Sequence, residues 1–395
     1  MLQAMLKNGR LVTLANYSRK DIERFRRECL FFCPTCRSEV IIKAGKKIIP
    51  HFAHKHLRNC PGSYGEGPEH ELGKLLLYQW LQKQNMSVKL ENYLSHIKQI
   101  PDLLLSVKKK IIAMEYQRAS IGTEEILSRT YGYKGAKITP LWIAGENQLV
   151  RLSANSLKIT ASLKQILHKF SSKCVSSLYF FCPHSRQFSF FQDLYFTSNH
   201  RALGTFQFIP LSRASLLTFF QYKSLSKSNL YKLWLKEKKK FRMMSRARAN
   251  ARQRRWLQWL YVNRLHWETL PSVVYLPVRD QLFMSSPPWD WQSRLVVEIL
   301  ASTPVGGTFS LSDCFHLLRN YLVKQRNYPL YKLNHHPIVE YLDILSKLKI
   351  IRRDSDDYFI KLKSIEFNKN IEDAIMNDKL LINTLIQSEN QTISL

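Results

Sequence analysis

The sequence predicts a multidomain protein of mixed α/β (α+β) class, with a small zinc-braced N-terminal domain, an α/β core and a mainly helical C-terminal region. Three observations carry that reading. Four of the seven cysteines (Cys29, Cys33, Cys36 and Cys60) fall in the first 60 of 395 residues, too few and too clustered for a disulfide scaffold. Residues 69–145 alternate between helical and strand-like hydrophobic patterns, in the order helix, strand, strand, helix, strand. Beyond residue 222 the pattern is helical nearly throughout, and 290–363 closes with three helices and a hairpin, the outline of a winged helix.

Residues 1–64 read as short strands and turns around Cys33-Pro-Thr-Cys36 and His51-Phe-Ala-His54. A CxxC knuckle aims two thiolates at one centre. Thiolates joined by imidazole at this spacing suit tetrahedral Zn²⁺ in a closed, structural shell. Two ligand sets close it: Cys33, Cys36, His54 and Cys60, or the same set with His51 in place of Cys60. If 48–53 is extended, His51 and His54 point to opposite faces, which favours the set with Cys60. The βαβ surroundings of a redox CxxC are missing.

The 65–150 core opens on Glu69-His-Glu-Leu-Gly-Lys74, whose following leucines and Trp80 form an apolar helical stripe. His70 and Lys74 are four apart and share a helix face, placed to bond a carboxylate or a phosphate. Two strand-like runs follow, joined by Lys108 to Lys110, a hairpin signal weakened by its lack of Gly or Asn. The first carries Pro101-Asp102 and the second Glu115-Tyr-Gln117. On a strand Glu115 and Gln117 share a face, and the hairpin returns Glu115 beside Asp102. A Glu and a Gln in so apolar a strand need a reason. Paired carboxylates on a sheet suit Mg²⁺ or Mn²⁺, which polarises a phosphoryl group and activates water. Nucleases of this kind usually carry Lys two residues after the Glu; here Gln117 stands there, so any orientation of water rests on its amide. Glu69 is a further candidate oxygen ligand, and Lys74 and Arg118 are candidate phosphate contacts.

At these residues the chain resembles the competence protein CoiA family. The likeness runs through CPTC, HFAH and Cys60, then PEHELGK, PDLLL and AMEYQRASI, all in the family's order over residues 1 to about 145, and more loosely beyond. It implies a zinc-ribbon-like N-terminal domain, a PD-(D/E)xK restriction-endonuclease-like core and a helical C-terminal region. By motif, it implies Asp102 and Glu115 as metal ligands, Gln117 at the usual lysine position, Glu69 and His70 in the helix motif, and Ser120 in the stretch that closes the site. The implied role is natural transformation, in which internalised single strands reach recombination, with recombination or other competence proteins as partners.

The formal charge of +30 points to a polyanion, DNA in single-stranded form above all. Within 236–255, Lys238, Lys239, Lys240, Arg242, Arg246, Arg248, Arg252, Arg254 and Arg255 have almost no acidic partners at helical spacing, so a phosphate backbone is their expected neutraliser. Trp256 and Trp259, three apart, more often pack into a core than stack on bases. The aromatic run 177–196 in the 151–221 extension suggests a hairpin or a partner-facing surface. The basic region extends over 222–289, and at the wing tip of 290–363 Asp354, Asp356 and Asp357 would repel phosphate and suit a protein partner. The acidic 364–395 reads as a loosely packed helix or tail. With no signal peptide and no long apolar run, the expected location is cytoplasmic, without membrane insertion. Two functions remain in view: a metal-dependent DNA endonuclease or exonuclease, and a noncatalytic DNA-binding adaptor that keeps a degenerate nuclease fold.

Overall fold

The computed structural model describes residues 1–45, 49–56, 60, 67–244 and 249–393. The candidate cations Arg246 and Arg248 lie outside the described residues.

The N-terminal module is a five-stranded antiparallel sheet with strands β1 (Gln3–Leu6), β2 (Leu11–Thr13), β3 (Phe31–Phe32), β4 (Glu39–Lys43) and β5 (His51–His54), ordered β2-β1-β3-β4-β5. Helix α1 (Arg19–Glu28) lies between β2 and β3 and opens on a Ser18–Asp21 capping box, which satisfies two of its free N-terminal amides. Its core is small, with Val12, Ile22, Phe31, Val40 and Phe52 packed around the buried Cys33 and Cys60. A module of that size gains from a metal brace.

Helix α2 (Pro68–Gln82) leads into β6 (Ser87–Leu90), β7 (Leu103–Val107), β8 (Lys110–Gln117), α3 (Thr123–Gly135) and β9 (Ile138–Gly145). The β7–β8 hairpin turns without Gly because Lys108 itself takes a left-handed conformation, φ 52°. The chain continues through β10 (Arg151–Ser153), β11 (Ser156–Lys158), α4 (Ala161–Gln165), β12 (Ser177–Cys182), β13 (Gln187–Ser198) and β14 (Arg201–Pro210). All nine strands β6 to β14 form one sheet in the order β10-β11-β14-β13-β12-β9-β8-β7-β6. Only β8–β9 and β9–β12 pair parallel. The aromatic run is therefore the buried centre of this sheet and no partner-facing surface, and residues 151–221 complete the core sheet instead of extending it.

Alternation along the strands builds two apolar layers. Met114, Tyr116, Tyr179 and Phe181 meet Leu77, Trp80 and Leu81 of α2 on one face. Trp142, Ala144, Leu178 and Phe180 meet Ile126 of α3 and Leu163 of α4 on the other. Helix α2 lies so close to β8 that a Cβ at Gly73 would fall 2.1 Å from the buried Tyr116 ring. That approach sets His70 and Lys74, on either side of Gly73, against the carboxylate end of the hairpin.

The C-terminal region contains α5 (Lys227–Met243), α6 (Ala251–Val262), α7 (Pro288–Leu295), β15 (Thr308–Ser310), α8 (Leu311–Leu317), α9 (Pro337–Lys347), β16 (Ile351–Arg353), β17 (Tyr358–Lys361) and α10 (Ile371–Ile393). From α7 to β17 the order helix, strand, helix, helix, strand, strand is that of a winged helix, with β15-β17-β16 as its sheet. The short β15 has no signal in sequence, since three residues give no periodicity. Helix α10 packs along α5, with Ala374, Ile382 and Leu385 fully buried, so the acidic segment is docked and not loose.

Candidate functional site

The zinc-type cluster assembles from three places in the N-terminal module. The β3–β4 connection carries Cys33 and Cys36, the end of β5 carries His54, and Cys60 follows it. Their ligand atoms all lie within 4.8 Å of one another. Cys33 Sγ and Cys60 Sγ are 3.8 Å apart, and Cys36 Sγ is 3.3 Å from His54 Nε2. Two thiolates bound to one tetrahedral Zn²⁺ at 2.3 Å would stand about 3.8 Å apart, so the donor set fits the ion. Burial opposes ionisation of Cys36, but hydrogen bonds from Ser38, His54 and Cys60 bring its thiol down to about 6, which prepares it for a cation. His51, three residues before His54 on the same strand, turns elsewhere, its Nδ1 3.0 Å from the Ile49 carbonyl.

Beside this module lies a cavity of about 410 Å³, the junction of both halves of the candidate chemistry. Pro34 and Thr35, the two residues inside the knuckle, form one wall, and Lys74, Glu91, Asp102 and Arg129 form the other. Asp102 is fixed by the backbone of the neighbouring strand, its Oδ2 accepting from Tyr116 N–H at 2.8 Å. Its Oδ1 faces His70 Nε2 at 3.5 Å and Lys74 Nζ at 3.9 Å. Burial would raise its pKa, but His70, Lys74 and Arg129 outweigh that and hold it well below the usual carboxylate range.

Glu115 is almost wholly buried on the α3 side of the sheet, where Oε1 accepts from Arg129 Nη2 at 2.6 Å and from the Tyr133 hydroxyl. Burial pushes its carboxyl up to about 7; Arg129 opposes the rise and the charge of Asp102 adds to it. Two acids at one end of one hairpin thus differ sharply, one firmly ionised and one poised near neutrality.

Lys74 is 1% exposed and joins Glu91 at 2.6 Å and Glu71 at 3.3 Å. It is a buried cation of the cavity wall, bonded to carboxylates, the first of the two partners expected of it. Glu91 also accepts from the backbone N–H groups of Leu2 and Gln3, at 2.8 and 3.2 Å, and so ties β1 to the lysine.

Three other expected residues are elsewhere. Glu69 is half-exposed and binds His184 at 2.9 Å and Arg118, so it does not join Asp102 as a third oxygen ligand. Arg118 is held between Glu69 and Glu146, so two carboxylates already answer its charge. Gln117 donates to the Ala119 carbonyl at 3.1 Å, a local bond that does not reach the carboxylates. Sequence reasoning missed Arg129 and Tyr133. Their signal was a four-residue spacing on the helix that follows the Glu115 strand, but nothing local marked that face as inward.

The basic stretch divides. Lys238 is buried, donating to the carbonyls of Ser272 and Val274 and pairing with Asp378 at 3.2 Å. Arg242 is buried too, with Nε and Nη2 clasping the two Asp378 oxygens at 3.1 and 3.0 Å. Neither offers charge to solvent, because an acid from α10 neutralises both. Lys239, Lys240, Arg252, Arg254 and Arg255 are exposed; Lys240 pairs with Glu237 at 2.9 Å, and Arg252 donates to the Ser285 carbonyl. Trp256 is core, its Nε1 donating to Ser293 Oγ. Trp259 is half-buried beneath the Arg294 guanidinium, 4.5 Å from the ring centre.

Three family models match the chain: the N-terminal domain of competence protein CoiA over residues 14–63, its nuclease-like domain over 66–224 and its C-terminal domain over 230–375. The nuclease-like match spans the whole nine-stranded sheet. A curated competence protein CoiA from Bacillus subtilis (strain 168) is 29% identical over 360 residues, covering 88% of this chain and 94% of that protein. No solved structure matches.

Proposed function

The chain belongs to the competence protein CoiA family, and from that premise we propose that it processes single-stranded DNA during natural transformation, as a metal-dependent nuclease centred on Asp102 and Glu115. The observation that carries this reading is the cavity lined by a firmly ionised aspartate and a buried lysine, with Arg129 in its wall bonded to Glu115, a buried glutamate pushed up to about 7.

Asp102 and Glu115 would hold Mg²⁺ or Mn²⁺, which polarises a phosphodiester and lowers the pKa of an attacking water. The chain's own residues supply the rest. Tyr116 N–H orients the Asp102 carboxylate. Lys74, on the helix that Gly73 lets approach, brings to Asp102 the positive charge that Gln117 lacks. Arg129 keeps Glu115 from carrying an uncompensated charge while no cation is present. The Cys33, Cys36, His54 and Cys60 cluster would carry structural Zn²⁺ and hold the Pro34–Thr35 wall. Exposed Lys239, Arg252, Arg254 and Arg255 would contact phosphates without reading sequence. The setting is the cytoplasm, where strands pass to recombination proteins; among the described residues no helix is long and apolar enough to cross a membrane.

A second reading is favoured by one observation: Glu115 Oε1 is already bound by Arg129 and Tyr133, as in a site that has given up its metal. The chain would then be a noncatalytic adaptor. Incubating single-stranded, branched and duplex DNA with Mg²⁺ or Mn²⁺ separates the two. The nuclease reading expects cleavage that Asp102→Ala and Glu115→Ala both abolish. Cleavage unchanged in both variants rejects the site, and intact transformation with Asp102→Ala supports the adaptor.

A further inference from the structure

A second cavity, of about 670 Å³, lies at the opposite end of β9, between the C-terminal end of α3 and the segment 325–333. Its lining includes Lys134, Lys137, Arg326 and Lys332, all exposed, and among the described residues that line it none is acidic. The acid beneath its floor, Asp280, is buried and already bound by Lys169 at 2.9 Å and by the Tyr331 hydroxyl at 2.7 Å. Four cations therefore face one groove without a carboxylate in its walls to neutralise them. Tyr131, 44% exposed, stands at the same groove and presents an aromatic face beside the charges.

The groove is built and does not depend on loose side chains. Lys169 and Tyr331 form a parallel bridge, with Lys169 N–H donating to Leu330 O and Lys332 N–H to Lys169 O, each at 2.9 Å. Lys134 Nζ donates to Pro329 O at 2.8 Å and the Tyr131 hydroxyl donates to Arg326 O, so α3 clasps the far wall through neutral acceptors and keeps its charge.

Helix α3 also connects this groove to the carboxylate cavity. Ser128 and Arg129 line the first cavity and Tyr131 and Lys134 the second. From Ser128 to Lys134 is roughly 9 Å along the helix axis.

We propose that Lys134, Lys137, Arg326 and Lys332, with Tyr131, form a binding groove for the backbone of a single-stranded nucleic acid, which α3 leads toward the Asp102 cavity. The cations pair with phosphates and Tyr131 stacks on an unpaired base, the combination that single-strand binders use. The proposal rests on the DNA reading above, but not on cleavage.

The test is fluorescence anisotropy of zinc-loaded full-length protein with labelled oligothymidylate over a range of KCl, with inorganic polyphosphate and duplex DNA as competitors. Replacing the four cations by Gln should lower the slope of log affinity against log salt by about 3, since each contact to a single strand contributes ~0.7. Tyr131→Leu should weaken oligothymidylate binding by about tenfold and leave polyphosphate binding unchanged. If the fourfold variant loses its native near-ultraviolet circular dichroism, the double variant Lys137→Gln, Lys332→Gln should still lower the slope by roughly 1.4. Wild-type affinity and slope in a folded variant would overturn the groove, as would an unaffected Tyr131→Leu or equal competition by duplex. Oligothymidylate binding with this pattern but without cleavage would keep the groove and reject only the nuclease, whereas no binding by the wild type would reject both.

Discussion

Glu115 is pulled in opposite directions by burial and by Arg129, and burial prevails. Its carboxyl titrates at 4.5 in an unfolded chain and at about 7 in the fold. Between those values the native state keeps a proton that the unfolded chain has released, so stability falls as pH rises through this window. Glu115→Gln has nothing to titrate there. Thermal melts without added Mg²⁺ should show the wild type losing more stability than Glu115→Gln between about pH 5 and about pH 8. Equal losses would mean that Arg129 keeps the carboxylate ionised throughout. Glu115 stood out in sequence, with Gln117, because a polar residue within an apolar strand is a local anomaly, and Asp102 because the hairpin returns that glutamate beside it. Their environment did not. Arg129 reaches Glu115 only because α3 crosses back over the sheet, and Glu69, in the same motif as His70 and Lys74, lies one helix face away and pairs with His184 instead.

Among the elements, α5 and α10 show best what local reasoning misses. Partners three or four residues away are visible along a helix, and by that measure Lys238 and Arg242 have no acid to answer their charge. Asp378 is 136 residues from Arg242 and 1% exposed, and it answers both. Removing one member of a buried ionic group strands the rest without water or counter-charge. Asp378→Ala should therefore cost about 3–5 kcal/mol in urea unfolding and free α10 from α5. A cost under about 1 kcal/mol would mean that the carbonyls of Ser272, Val274 and Leu270 suffice for the two cations. Periodicity did locate the helices and hairpin of the winged helix and the helix–strand order of the core. It could not show that β12 to β14 join the same sheet, because sheet order is decided by pairing between distant strands.

At the scale of the whole molecule, the N-terminal module is part of the candidate site, since its knuckle forms a cavity wall and Glu91 ties β1 to Lys74. Metal analysis should find one zinc per chain. Cys33→Ser or strong chelation should lower the melting temperature and open residues 1–60 to protease while the nine-stranded core resists. A melting temperature indifferent to both would show that the four ligands hold no structural metal. The Asp378 clasp also has a consequence in time. Ribosomes add roughly 5–20 residues per second, so α5 emerges some 7–27 s before the acid that neutralises it. Throughout that interval the nascent chain carries two cations that the finished protein hides. A chain whose synthesis stalls before α10 would keep both charges open to solvent.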